Sequence, residues 1–377
     1  MHTTTRTWAE IHLDHLAHNY RELKNRLPES CRLMAPVKAN AYGHGAVPIS
    51  RLLQDLGADY LAVACVAEAL ELREAGIRLP ILNIGYAASE DAEVLAQNHI
   101  TQTVFSLEMA EKLSRALQAT SLTLPIHIEL DSGLGRLGFP CRNLEPEDAK
   151  RAMLLPHLDI QGLFTHFSVA DSDCDDYTLG QKDYFTQAVD WLEAETHRQI
   201  PLRHLAASGA ILRLPETHCN MVRPGISLYG LSPNPELIEA NLRPVMTLRT
   251  RIIQVRPFAK GEFVSYGRTH ETKSERTIAV IPIGYADGLH RGLSGKMEML
   301  LHGQRVSQVG RICMDFSMLD VTGPKKISVG DEVTVFGTDG DKSISVAEHA
   351  ARVGTISYEL LCAVSPRVPR MYSPRDI

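Results

Sequence analysis

Lys38 stands at the end of an apolar run and opens a small loop, Lys38-Ala39-Asn40-Ala41-Tyr42-Gly43-His44-Gly45. Burial at a strand end disfavours the charged ammonium and prepares the amine for nucleophilic work. Such a lysine is a candidate to form a Schiff base with an aldehyde, and pyridoxal phosphate (PLP) is the usual partner. Other polar residues close other apolar runs: Asp131 with Arg136, His166, Ser208 and Arg223. Each alone reads as a salt bridge or a capped loop. At equivalent ends of different strands of a (β/α)8 barrel, where such folds place their chemistry, they are harder to dismiss together. Ser208-Gly209 and Pro224-Gly225 fall where a hydroxyl and backbone N–H groups converge on phosphate. Ordinary turn chemistry explains them equally well in isolation. Beside a Schiff-base lysine they point to a phosphorylated aldehyde.

Gly133-Leu134-Gly135-Arg136-Leu137-Gly138 matches a dinucleotide fingerprint, with Asp159 about 20 residues further on. Phe139-Pro140 argues against it, because proline would sit inside the helix that the fingerprint opens. The motif also follows the fifth apolar run rather than the first. A tight loop presenting Arg136 to a substrate carboxylate is the better reading. Later in the chain, Tyr266 and Tyr285 each adjoin a glycine. Such tyrosines are usually packing residues, and a phenol of pKa ~10 needs cationic neighbours to act as a base. Cys313 reads as a small buried residue rather than a nucleophile.

These residues need elements to hold them. Apolar runs at 33–38, 60–65, 80–85, 101–106, 124–131, 158–167, 202–208 and 219–228 are mostly separated by helical patterns, among them Glu68 to Ala75, Leu107 to Ala119 and Tyr177 to His197. A first helix, opened by Asp14, has the stripe Leu16, Tyr20, Leu23 and Leu27. Eight strands over about 230 residues predict a (β/α)8 barrel, with a doubly wound sheet as the alternative. From Pro244 the apolar period becomes two, over Met246 to Val255, Arg276 to Ile283, Lys296 to His302, Gln304 to Val309 and Asp331 to Phe336, with one helical stretch at Val346 to Val364. The expected division is a PLP-binding barrel over 1–240 and a mostly antiparallel β domain over 241–377.

The chain has 377 residues and a net charge of −6 with mixed signs, so nothing points to nucleic acid or an anionic membrane. No apolar stretch is long enough to span a bilayer, and Met1 to Arg6 lacks the core of a signal peptide. Seven cysteines are scattered with no Cys-x-x-Cys pair, so neither a disulfide framework nor a metal site is indicated. The expectation is a reduced, soluble, cytoplasmic protein.

Together the motifs resemble bacterial alanine racemase, a PLP enzyme of fold type III. The resemblance runs nearly end to end and rests on Val37 to Gly45, Asp131 to Gly138, Thr165-His166-Phe167, Val222-Arg223-Pro224-Gly225, Ser265-Tyr266-Gly267, Gly284 to Gly288 and Gly310 to Asp315. It implies PLP on Lys38, which then serves as the base on the D-face of the substrate. Tyr266 becomes the base on the L-face, contributed by the partner subunit of a head-to-tail homodimer. Phosphate would be held by Tyr42, Ser208 and the backbone at Gly225 and Ile226. Arg136 and the Met314 backbone would take the substrate carboxylate. Arg223 would face the pyridine nitrogen, with His166 linking it to Tyr266, His204 behind it, and Tyr285 in support. The implied role is supply of D-alanine for peptidoglycan.

Two positions depart from the family pattern. Glu129, seven residues before Arg136, replaces a lysine commonly carried as an anionic carbamate. The expectation is that the carboxylate supplies that charge without carbon dioxide. Pro366 replaces a tyrosine that narrows the substrate site, so better acceptance of serine is expected. The alternatives are a serine or broader small-amino-acid racemase, and a fold-type III decarboxylase with Cys313 as its cysteine. A non-catalytic PLP carrier resembles the barrel alone and leaves the β domain unexplained.

Overall fold

The computed structural model describes residues 6–324 and 326–373. They form two compact units: one is His15–Ala41 with Ala46–Arg243, and the other joins the segment up to Asp14, Tyr42–Gly45 and the chain from Pro244 on.

The first unit is a closed (β/α)8 barrel. β1 (Thr7–His12) lies outside it. Its parallel strands are β2 (Arg32–Pro36), β3 (Tyr60–Val63), β4 (Ile81–Asn83), β5 (Ile100–Val104) and β6 (Leu124–Asp131), then, after the two-residue stub β7 (Phe139–Pro140), β8 (Leu158–Phe164), β9 (Leu202–Ala207) and β10 (Met221–Arg223). The neighbour order β5-β4-β3-β2-β10-β9-β8-β6 is closed by pairing of β5 with β6. Every residue of β3 and β5 is buried, as expected for strands covered on both faces. Register shifts occur at His127 on β6 against β8 and between Met221 and Arg223 on β10 against β9.

The intervening helices follow the apolar stripes. Leu13–Lys24 buries Leu16, Tyr20 and Leu23, and Asp14 falls in its first turn rather than at its cap. Val66–Glu74, Leu107–Ala116 and Asp175–Thr196 occupy the expected stretches. Ser106 Oγ caps the second of these by accepting from Met109 N at 3.2 Å. Between β9 and β10 the chain forms only the short helix Ser208–Arg213 and a 3-10 turn.

The second unit is a sheet in which every pairing but one is antiparallel. β11 (Met246–Arg251) pairs with β1, Thr7 opposite Thr250, and β1 pairs in parallel with the last described strand, Arg370–Ser373. The expected single helix after residue 346 is two, Val346–Arg352 and Ser357–Ala363. Residues 42–45 belong to this unit. Gly43 O accepts from Arg370 Nε at 2.9 Å, His44 O accepts from the Tyr372 hydroxyl at 3.1 Å, and the Tyr42 ring lies 5.9 Å from Tyr358. Among the described residues, no helix is long and apolar enough to cross a membrane.

Candidate active site

Lys38 lies just past the C-terminal end of β2 and is half-buried. The backbone then makes one left-handed turn: Ala39, Asn40 and Ala41 have φ of 52°, 53° and 53°. An L-residue pays for this conformation, so the surroundings must enforce it. Glu68 does so from the next βα connection. Its carboxylate accepts from Ala39 N at 2.6 Å and from Ala64 N at 2.8 Å. Asn40 Oδ1 accepts from Ala46 N at 2.8 Å, which holds the start of the following helix. The end of β2 is fixed by the buried Tyr229, whose hydroxyl donates to Pro36 O at 2.8 Å.

Arg223 ends β10 and is almost fully enclosed. One terminal nitrogen, Nη1, donates to His204 Nδ1 at 2.6 Å and His204 O at 2.8 Å. The other, Nη2, donates to Thr165 O at 2.8 Å, Leu205 O at 3.1 Å and His166 Nδ1 at 3.3 Å. Its flat face covers the Phe164 ring at 5.2 Å. Burial pulls the guanidinium down to about 10, partly opposed by the charge of Glu129. It therefore remains a cation at neutral pH.

His166 lies two residues past β8, and its Nδ1 accepts from Arg223 Nη2. Burial and then the charges of Arg223, Arg136 and Lys38 push its pKa down to about 3. Glu129 is buried on β6, where burial raises its carboxyl while Arg136 and then Arg223 oppose that rise. Arg136 is exposed on the loop after β6. That loop is no helix start: Asp131 Oδ1 accepts from Gly133 N at 2.9 Å and Gly135 N at 3.1 Å, and Phe139-Pro140 runs as a stub beside Leu130 and Asp131.

Ser208 and Ser227 meet across the mouth of β9 and β10. Ser227 donates to Ser208 Oγ from its hydroxyl at 2.8 Å and from its backbone N at 3.2 Å. Gly225 and Ile226 lead into the 3-10 turn Ile226–Tyr229 that carries Ser227. Sequence reasoning missed Ser227, and also His127, whose Nδ1 lies 2.9 Å from His204 Nε2. The signal for His127 was present: His127 and Glu129 alternate with Ile126, Ile128 and Leu130 along β6, so they share a face.

The second unit positions its own residues. Tyr42 is buried, and burial, then Tyr358 and Cys362, push its phenol far above the usual range, leaving a neutral hydroxyl. Tyr266 lies on the turn Tyr266–Arg268, beside a cleft of about 330 Å³ lined by Phe258, Val264, Ile278 and Met318 among others. Ser265 Oγ donates to Arg311 O at 2.7 Å, and Arg268 covers the Phe263 ring at 3.8 Å. Met314, exposed, is set by the turn that carries Tyr285. Tyr285 N donates to Cys313 O and Ala286 N to Met314 O, both at 3.0 Å. A Cβ at Gly284 would fall 2.3 Å from each of those two carbonyl oxygens, so no side chain fits there. The buried Asp287 holds this turn by accepting from Gly284 N at 3.0 Å. Cys313 Sγ lies 3.7 Å from Ser265 Oγ and 3.6 Å from Arg311 O, and the residue is half-buried.

Family models cover almost the whole chain: "Alanine racemase, N-terminal domain" matches residues 11–233 and "Alanine racemase, C-terminal domain" matches 245–372. An alanine racemase of Methanococcus maripaludis is 46% identical over 368 residues, covering 97% of this chain and 98% of that protein. Among solved structures, an alanine racemase of Clostridium difficile 630 superposes with a TM-score of 0.92 at 40% identity, covering 98% of this chain and 96% of the other. One from Bacillus anthracis, with bound L-Ala-P, gives 0.94 at 37% identity, covering 100% and 97%.

Proposed function

The chain belongs to the alanine racemase family, and from that premise we propose how its residues divide one proton exchange between two bases. Racemisation of alanine needs a base on each face of one carbon. We assign Lys38 to the D-face and Tyr266 to the L-face. One removes the α-proton, the other returns a proton to the opposite face, and in the reverse direction the roles exchange.

PLP, when bound, supplies the aldehyde that takes up the substrate amine and a ring that spreads the charge of the α-carbanion. The residues fit it. The buried Ser208–Ser227 hydroxyl pair opens two helical turns, an uncharged donor set that suits a phosphate. Ser208, the backbone at Gly225 and Ile226, and the neutral Tyr42 hydroxyl would hold that phosphate. Arg223 would hold the ring nitrogen. It keeps its proton, so it would donate a hydrogen bond to that nitrogen without protonating it.

Arg136 and the Met314 backbone take the substrate carboxylate, with Tyr285 supporting Met314. His166, held neutral, connects Arg223 towards Tyr266. His204 backs Arg223. Glu129 supplies the buried negative charge beside the two arginines that a carbamate supplies in family members with lysine there. The cofactor belongs to the 1–240 part and the L-face base to 241–377. Tyr266 is exposed within its own unit, which supports a homodimer in which each active site borrows the partner's tyrosine. A cytoplasmic enzyme making D-alanine for peptidoglycan is the biological setting.

The observation that carries the assignment is the shared rim of one closed barrel, where Lys38 follows β2, Arg136 follows β6, His166 follows β8, and Arg223 ends β10 with Nη2 3.3 Å from His166 Nδ1. Polarimetry tests it: the holoenzyme abolishes the rotation of L-alanine with no net loss of amino acid, and Lys38→Ala does not. Rotation loss that survives in Lys38→Ala would sink it. Pro366 supports a second, broader reading in which serine is also a substrate, because the proline is exposed and has no hydroxyl to offer.

A further inference from the structure

We propose that His127 is a positioning residue for Arg223, acting through His204; this rests on the reading that Arg223 faces the cofactor ring. An arginine can only donate. The 2.6 Å contact from Arg223 Nη1 therefore makes His204 Nδ1 the acceptor. The proton of neutral His204 then sits on Nε2 and is donated to His127 Nδ1 at 2.9 Å. His127 in turn carries its proton on Nε2. Each imidazole has one tautomer available, and the direction of the whole line is set by the arginine.

The fold is shaped to seat His127. The β6–β8 register shifts at this residue: Ile126 is opposite Ile160, but His127 is opposite Gly162. A bulge of this kind re-aims a side chain. Gly162 supplies the room, because a Cβ there would lie 2.8 Å from His127 Cε1 and Nδ1. The Tyr60 ring, 6.2 Å away, and the His204 ring, 5.0 Å away, flank it. The line ends at cost, since His127 Nε2 is buried with no hydrogen-bond partner among the described residues. A histidine serving only to fill space would be replaced by an apolar residue without that cost. The acceptor at Nδ1 is what the position provides. Without it, His204 Nε2–H is buried and unpaired, and the ring that gives Arg223 its shortest contact is held only by that contact and by stacking on Phe164 at 4.7 Å.

The test uses the holoenzyme. With ¹⁵N-labelled histidine, long-range proton–nitrogen correlation should find both His204 and His127 protonated at Nε2. A proton on Nδ1 of either residue overturns the proposal. His127→Phe keeps a ring and loses the acceptor, so its Kd for PLP, read by fluorescence titration, should rise about tenfold, with a shifted cofactor absorption band. His127→Asn, whose Oδ1 replaces Nδ1, should stay within about threefold of wild type. Equal Kd values for wild type and His127→Phe, or a His127→Asn as impaired as His127→Phe, overturn it. If His127→Phe does not fold, the wild-type tautomers and the asparagine variant decide. Arg223→Gln separates the two readings: an unchanged absorption band there removes Arg223 from the cofactor ring while leaving the histidine tautomers as found.

Discussion

Arg223 and Tyr266 are assigned to one reaction, yet Arg223 is 6% exposed and Tyr266 69%. The arginine has five acceptors, drawn from strand β9 and the loop that follows β8. The tyrosine stands on a short turn of the β unit. The group that must never change protonation is finished inside its own unit, and burial lowers its pKa only to about 10. The group that must give and take a proton is left open. A neutral-pH role for a phenol needs further enclosure and cationic neighbours. This contrast supports completion of the site by a second copy, and it divides the residues into a fixed set in the barrel and an adjustable set on the β unit.

The strongest way to break the contrast is Tyr266→Phe. Loss of one base should slow L-alanine turnover about 10²- to 10⁴-fold. Exchange of the D-alanine α-proton with solvent, measured by NMR, should be less affected, because the proposed assignment gives that step to Lys38. Equal loss in both assays would mean that Tyr266 is structural.

The barrel side should show itself in acid. His127 is held at about 3 against an ordinary value of 6.5, chiefly by burial. Below about 6.5 the unfolded chain binds a proton that the folded chain refuses until about 3. Stability is therefore complete above that window and is lost as pH falls through it, by about 1.4 kcal/mol per pH unit for this one group. His204, also pushed well down by burial, adds to the slope. Denaturant titrations between pH 7 and pH 4 measure it, and His127→Asn should flatten the curve by about one proton.

Glu129→Gln probes the fixed set more gently. Removing the charge beside Arg136 and Arg223 should raise the KM for alanine about tenfold while kcat stays within about threefold. Added bicarbonate should not change the wild-type rate. An unchanged KM, or bicarbonate dependence, would exclude the charge-replacement role. The smallest effect belongs to the adjustable set. Pro366→Tyr should lower the ratio of kcat/KM for serine over alanine by a few-fold, and an unchanged ratio would remove Pro366 from specificity.

The eight barrel strands were legible because each is a short buried run punctuated by helical pattern, and closure of a barrel then places Lys38, Arg136, His166 and Arg223 at one rim. Other features depend on partners distant in sequence. Thr7–His12 becomes a strand through Met246–Arg251 and Arg370–Ser373, which no local pattern at residue 7 announces. His127 reads as one polar residue in a strand until the register shift and His204 give it a direction. Tyr266 has no local mark of a base, and only the family resemblance selected it. The left-handed turn after Lys38 was equally silent, since Ala39-Asn40-Ala41 contains no glycine.

That turn has a stereochemical consequence. For an L-residue the left-handed helical backbone is the disfavoured hand, whereas for its mirror image it is the relaxed one. Ala39 and Ala41 hold that shape next to the lysine assigned to the D-face. In a protein of the family that inverts alanine, two alanines of the chain itself are thus kept in the backbone conformation natural to D-alanine.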